Sequence, residues 1–154
     1  LDSRTTVNLP TDGTSSGKPV HLRLVLRKSP VYGKDIFFSL PGQTFNCHFK
    51  NCTVYVKFDD DKVWRVMANP LGGKQNDAVF IKSTARFFSK LKTSAQLMVE
   101  IELVNQGTHQ FTFDVNGLTV DWWPVRKKEK TENGQTAKQS SKNKTTSKAE
   151  KADK

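Results

Sequence analysis

Leu97-Met98-Val99-Glu100-Ile101-Glu102-Leu103, then Asn105-Gln106-Gly107, then Phe111-Thr112-Phe113-Asp114-Val115 is the stretch on which the fold turns. Apolar side chains recur at every second position, and Glu100 and Glu102 are set between them to face water. Successive strand side chains point to opposite faces, so a strict two-residue period builds a half-buried strand. The Asn-Gln-Gly break turns the chain, and the second run returns antiparallel to the first.

The same period extends toward the N-terminus. Val20, Leu22, Leu24 and Leu26 share one face against His21, Arg23, Val25 and Arg27, and Ser29-Pro30 ends that strand. Tyr32-Gly33 turns into a strand over residues 35–40, closed by Pro41-Gly42. Residues 44–49 alternate through Phe45, Cys47 and Phe49. Cys52, Val54, Val56 and Phe58 line the inner face of the next strand, opposite Thr53, Tyr55 and Lys57. Asp59-Asp60-Asp61-Lys62 is a hairpin turn into a strand over residues 63–68, residues 69–73 read as a loop, and Val79-Phe80-Ile81 is a short strand. One segment breaks the pattern. Over residues 84–94, Phe87, Phe88, Leu91 and Ala95 fall on one helical face, with the Ser83 hydroxyl placed to cap the first turn. The expected fold is mainly β (α+β): an antiparallel sandwich or barrel-like sheet of about seven or eight strands with one short helix.

Length and charge set the frame. A chain of 154 residues, 35% hydrophobic and 26% charged, suits one globular body with a polar attachment. No apolar run reaches the roughly 20 residues that span a bilayer, and the mean hydropathy is -0.61. Residues 127–154 hold nine Lys against four acids, a net of +5 out of the chain's +10. Half of the basicity therefore sits outside the expected domain. The sequence divides into a flexible lead-in (residues 1–18), a β-rich domain (19–126) and a lysine-rich tail (127–154). The tail lacks the apolar surface to offset an ordering cost of about 1–2 kcal/mol per residue, and disorder is expected there. The first residue is Leu1, which a processed chain and a boundary set by cloning explain equally; in the first case a secretory signal peptide has been removed.

Few residues point to chemistry. Cys47 and Cys52 have four residues between them and strands on either side, and a hairpin would bring them to about 4.5–5.5 Å between Cα atoms, within disulfide range. A disulfide implies an oxidising compartment; the alternative is two free thiols in a reducing one. Structural zinc needs four ligands, and only His48 is near. Cys47 and His48 are adjacent on a strand and point apart, so they do not form a nucleophile–base pair. His21 and His109 read as outward and solvated, and Asp59-Asp60-Asp61 as a solvated turn rather than a calcium loop. No phosphate loop or paired catalytic carboxylates appear, and neither cofactor nor metal is expected. Candidate partner contacts are Trp64, Tyr55, Trp122 and Trp123, with Tyr32 and Phe37 next, and Leu71 and Lys74 in the loop after residue 68. For Trp122-Trp123 the other reading is an anchor that closes the core.

The chain resembles a family of small, uncharacterised bacterial envelope proteins. The shared anchors are residues 24–27 leading to Tyr32-Gly33-Lys34-Asp35; Gly42-Gln43 before Cys47; Cys52-Thr53-Val54 into Val56-Lys57-Phe58-Asp59-Asp60; Val79-Phe80-Ile81 before Phe87-Phe88-Ser89-Lys90-Leu91; and Gln106-Gly107 before Phe111-Thr112-Phe113-Asp114-Val115-Asn116-Gly117-Leu118. More distantly, it is similar to accessory proteins of type VI secretion, which share the cysteine-strand, helix and closing Phe-x-Phe-x-x-x-Gly-Leu order. The resemblance covers residues 22–118 and implies export and a sheet-rich fold. It brings no catalytic residues. Typical members carry Arg where Lys57 stands, and their tails are not lysine-rich.

These features predict a non-catalytic periplasmic or envelope-associated interaction module with a protein partner, in the most specific form an accessory of a secretion or surface assembly. Two other classes stay open: an inhibitor or immunity protein that blocks a hydrolase or toxin with residues 69–77, and a basic nucleic-acid-binding protein. The tail suits weak contact with an anionic polymer or membrane surface.

Overall fold

The computed structural model describes residues 1, 4–9, 17–47, 51–72 and 76–123. Strands β1 (Val7–Leu9) and β2 (Lys18–Val20) form a small hairpin. β3 (Arg23–Ser29), β4 (Gly33–Ser39), β5 (Cys52–Phe58), β6 (Trp64–Pro70), β7 (Ala78–Ile81), β8 (Gln96–Leu103) and β9 (Gly107–Asp114) build the main sheet. Helix α1 (Thr84–Leu91) joins β7 to β8. The order is β3-β4-β7-β6-β5-β8-β9, antiparallel at every pairing.

Alternation explains the register. In the β8–β9 hairpin Leu97 pairs with Phe113 and Val99 with Phe111, all buried, while Glu100 faces Gln110 on the outer side. Asn105 and Gly107, at φ of 60° and 75°, make the turn. β5 lies between β6 and β8 and buries Cys52, Val54, Val56 and Phe58. Opposed side chains on one face are what a sheet gains from correct register; a slip by one residue would turn every buried residue outward.

The sheet curls over an apolar interior, while its outer strands β3 and β9 do not pair with each other. Phe38 of β4 lies 6.2 Å from Phe113 of β9, ring to ring, and the barrel-like alternative is the one realised. α1 fills the interior: Phe87 lies 6.1 Å from Phe38 and 5.3 Å from Phe58, and Phe88 and Leu91 are buried beside it. Residues at the start of the chain lie against both outer strands. Leu1 exchanges backbone hydrogen bonds with Leu24 of β3. On the other side the Arg4 amide donates to Thr112 of β9, and the Arg4 side chain pairs with Asp114.

Several details differ from the sequence expectation. The run through residues 20–27 splits at His21-Leu22 into β2 and β3, although Leu22 and Leu24 are buried as expected. Residues 44–47 are not a strand. Phe45 makes a single bridge to Leu103, because the segment is held at several points: Val104 N–H to Thr44 O, Asn46 N–H to Glu102 O and Phe45 N–H to Asn76 O. β6 runs on through Asn69 and Pro70, which pair with Phe80 and Val79. Pro70 is tolerated because β5 pairs no further than Ala68, so the missing N–H points where no ladder exists. The helix stops at Leu91 rather than residue 94, where the Thr93 and Ser94 hydroxyls donate to the Lys90 carbonyl. Ala95 is consequently exposed. Ser83 occupies the cap position, but its side chain makes no capping bond. Within the stretch read as a loose lead-in, β1 pairs with β2 and Leu9 is buried. The tail, residues 127–154, lies outside the described residues, as do His48 and Phe49.

Candidate interaction surface

Cys47 and Cys52 are joined in a disulfide with their Cα atoms 4.3 Å apart. The setting is not the expected two-strand hairpin: Cys52 opens β5 opposite Ala68, and Cys47 follows the Phe45–Leu103 bridge. The bond thus ties the segment beside the end of β8 to the start of β5. Both sulfurs are committed to it, which leaves neither as a nucleophile or ligand.

The aspartate run is more than a solvated turn. Asp59, at φ 47°, accepts the amides of Ala95 and Gln96 at 2.9 and 2.8 Å. The Gln96 amide first, with the Ala95 amide, the Ser94 hydroxyl and the Lys90 charge, holds its carboxyl below the ordinary value despite an opposing desolvation. Asp61 pairs with Lys90, and Asp60 lies 4.0 Å from Lys57. The three carboxylates point to separate partners rather than to a common centre.

The candidate aromatic contacts are dispersed. Tyr55 faces outward, 43% exposed, in a shallow groove of about 190 Å³ with Val63, Met98 and Glu100. Trp64 lies on the opposite face of the sheet, edge-on to Phe58 at 5.4 Å, and the Arg86 guanidinium covers its ring at 4.6 Å. Trp123 is buried and stacks on Phe88 at 4.7 Å, with the Lys34 ammonium 5.9 Å from its ring. Trp122 is half-buried beside it at 5.5 Å. The anchor reading of this pair therefore holds for Trp123, whose surface is spent on the core. Leu71 is exposed just past β6; Lys74, and with it part of the loop over residues 69–77, lies outside the described residues. His109 shares the inward side of β9 with Phe111 instead of facing out, and its Nε2 sits 3.0 Å from the Gln106 carbonyl oxygen.

A tighter group forms on the outer face of β3, β4 and β7. Phe37 pairs in register with Phe80, and the rings lie 4.8 Å apart. The Arg27 guanidinium stands 5.4 Å from the Phe37 ring, 5.7 Å from Phe80 and 5.6 Å from Tyr32. Asp35, directly opposite Arg27, accepts from its Nε at 3.1 Å and its Nη2 at 2.6 Å. Tyr32 and Val31 are 73% and 78% exposed at the tip of the β3–β4 hairpin. The Ser29 hydroxyl oxygen accepts both of their amides, and Gly33, at φ 77°, completes the turn. Tyr32 and Phe37 were legible as exposed aromatics. Arg27 and Phe80 were not: Phe80 joins the group only through the long-range pairing of β4 with β7, while Arg27 lies in the local β3–β4 hairpin opposite Asp35 and was visible only as an outward strand position.

Among the described residues, no group of three or more His, Cys, Asp or Glu could hold a metal ion, and no helix is long and apolar enough to cross a membrane. No family model, curated protein or solved structure matches the chain.

Proposed function

We propose that this chain is a non-catalytic protein-interaction module of the periplasm or cell envelope, an accessory within a secretion or surface assembly, and that it engages its partner through the Arg27, Tyr32, Phe37 and Phe80 face. The observation that carries this reading is an arginine held among three aromatic rings on the outside of the sheet, where it adds nothing to the core. Arg, Tyr and Trp dominate binding hot spots, and side chains already fixed before contact lose less entropy on binding. Asp35 and the Ser29-anchored turn supply that fixing. The partner is a protein that presents carboxylates beside an apolar side chain, since residues 1–126 carry +5, the chain's +10 less the tail's +5. A disulfide is consistent with an oxidising compartment, and the resemblance to envelope proteins agrees with it.

The test is photo-cross-linking in the producing cell with a photoreactive residue at position 32 or, separately, at position 55. A discrete adduct from position 32 that disappears in Arg27→Ala and Phe80→Ala variants supports the reading. Equal adducts from both positions, or one indifferent to Arg27 and Phe80, would count against it.

A further inference from the structure

β6 has β5 beside it from Trp64 to Ala68, but β7 pairs with it only from Ala68 onward. The Met67 carbonyl accepts the Lys82 amide at 3.0 Å, so Met67 turns its backbone groups toward the β7 side. In an antiparallel ladder alternate residues direct these groups to the same side. Arg65 therefore points its N–H and C=O the same way, where the chain has already left β7 for α1. Among the described residues, no backbone partner meets Arg65 there. The gap is bounded by β5, β7 and α1, all far in sequence from Leu1. A cavity of about 130 Å³ lies in it. Trp64, Met67 and Phe87 give it apolar walls, Ser83 and Arg86 border it, and no acidic residue lines it. The Arg86 guanidinium stands 4.6 Å from the centre of the Trp64 ring. Among the described residues, no carboxylate pairs with it. A cation–π contact leaves the N–H fork of an arginine unspent, and that fork fits a carboxylate.

We infer that this gap binds the C-terminal end of a partner's peptide chain. The peptide backbone pairs with Arg65, its last side chain, an apolar one, enters against Trp64, Met67 and Phe87, and its carboxylate meets Arg86. Each part of the ligand answers a feature of the site. An N–H and a C=O open side by side call for another peptide backbone, which a phosphate group does not offer. Lys82 takes the edge at Met67, so a strand added beside Arg65 has no room to continue and ends there. Of the two ends of a chain, the carboxylate attracts Arg86 and the ammonium repels it. The site shares no residue with the Arg27, Tyr32, Phe37 and Phe80 face and goes beyond it as a second, separate contact.

The experiment titrates isotope-labelled full-length protein with three N-acetylated hexapeptides. The first ends in valine-leucine with a free carboxylate, the second is its C-terminal amide, and the third is an amide with glutamate as the next-to-last residue. The free acid is expected to shift the Arg65 amide and the Trp64 indole N–H and to slow hydrogen exchange at Arg65. The two amides should bind at least about tenfold more weakly, as loss of a charge-assisted bond requires. Arg86→Gln should weaken the free acid by a similar factor while amide resonances far from the cavity keep their positions, which shows the fold intact. Absence of a response at Arg65 and Trp64, equal binding of acid and amide, or indifference to Arg86→Gln overturns the inference. Equal binding of the glutamate peptide also overturns it, since an internal carboxylate would then serve. If the cavity fails while the Tyr32 adduct still depends on Arg27, only this peptide site falls and the interaction module stands.

Discussion

At Asp59 a residue with φ 47° offers one carboxylate oxygen to two amides at the start of β8. Because those bonds favour the ionised form, the folded pKa lies below the ordinary 3.8. A depressed carboxylate contributes stability that is complete above the unfolded value and fades as pH falls through the folded one. Asp59→Asn should therefore lower the melting temperature at neutral pH, with the gap to the parent chain closing as pH drops below about 3.8; a gap constant with pH would contradict this role. Phe87, between Phe38 and Phe58, is the reverse case, a purely apolar contribution. Phe87→Ala should cost about 3–5 kcal/mol in urea unfolding, whereas Tyr32→Ala should stay within about 0.5 kcal/mol of the parent. Phe87 was legible as core from helical spacing alone. Asp59 was not, since nothing within its own run announces that Ala95 and Gln96 will lie beside it.

Elements were legible wherever one face is buried along its whole length. β5 and β8 follow the sequence expectation because each residue in them obeys the alternation, whereas β9 begins earlier, at Gly107, and carries His109 on its inward side. Ends were harder: β6 continues through Pro70 only because β7 lies beside it, and α1 stops early because the Thr93 and Ser94 hydroxyls take up the Lys90 carbonyl. The β3–β4 turn tests a local device. An added Cβ at Gly33 would meet nothing within 4 Å, so the penalty there is conformational. Gly33→Ala should cost roughly 1–2 kcal/mol for a left-handed residue, and Gly33→Asn distinctly less. Equal unfolding midpoints for the two variants would show that the turn does not hold this conformation. The Cys47–Cys52 bond closes a short loop. Replacing both cysteines with alanine should cost about 2 kcal/mol on the chain-entropy model, measured by denaturant titration.

For the whole molecule, sequence pattern specified an antiparallel, mainly β fold over an apolar interior, with sandwich and barrel-like sheet both open, but not its strand order. The order β3-β4-β7-β6-β5-β8-β9 depends on pairings between distant segments, and those pairings assemble Arg27, Tyr32, Phe37 and Phe80 on one face. The candidate surface was accordingly half visible: Tyr32 and Phe37 by their outward positions, Phe80 only through the pairing of β4 with β7. The joined thiols are consistent with an oxidising compartment, the setting proposed above. The most direct check is to quench the producing cells in acid, alkylate under denaturing conditions and weigh the intact chain. The account predicts no alkylated cysteine until a reductant is added and two afterwards; two alkylated cysteines in the unreduced sample would contradict it.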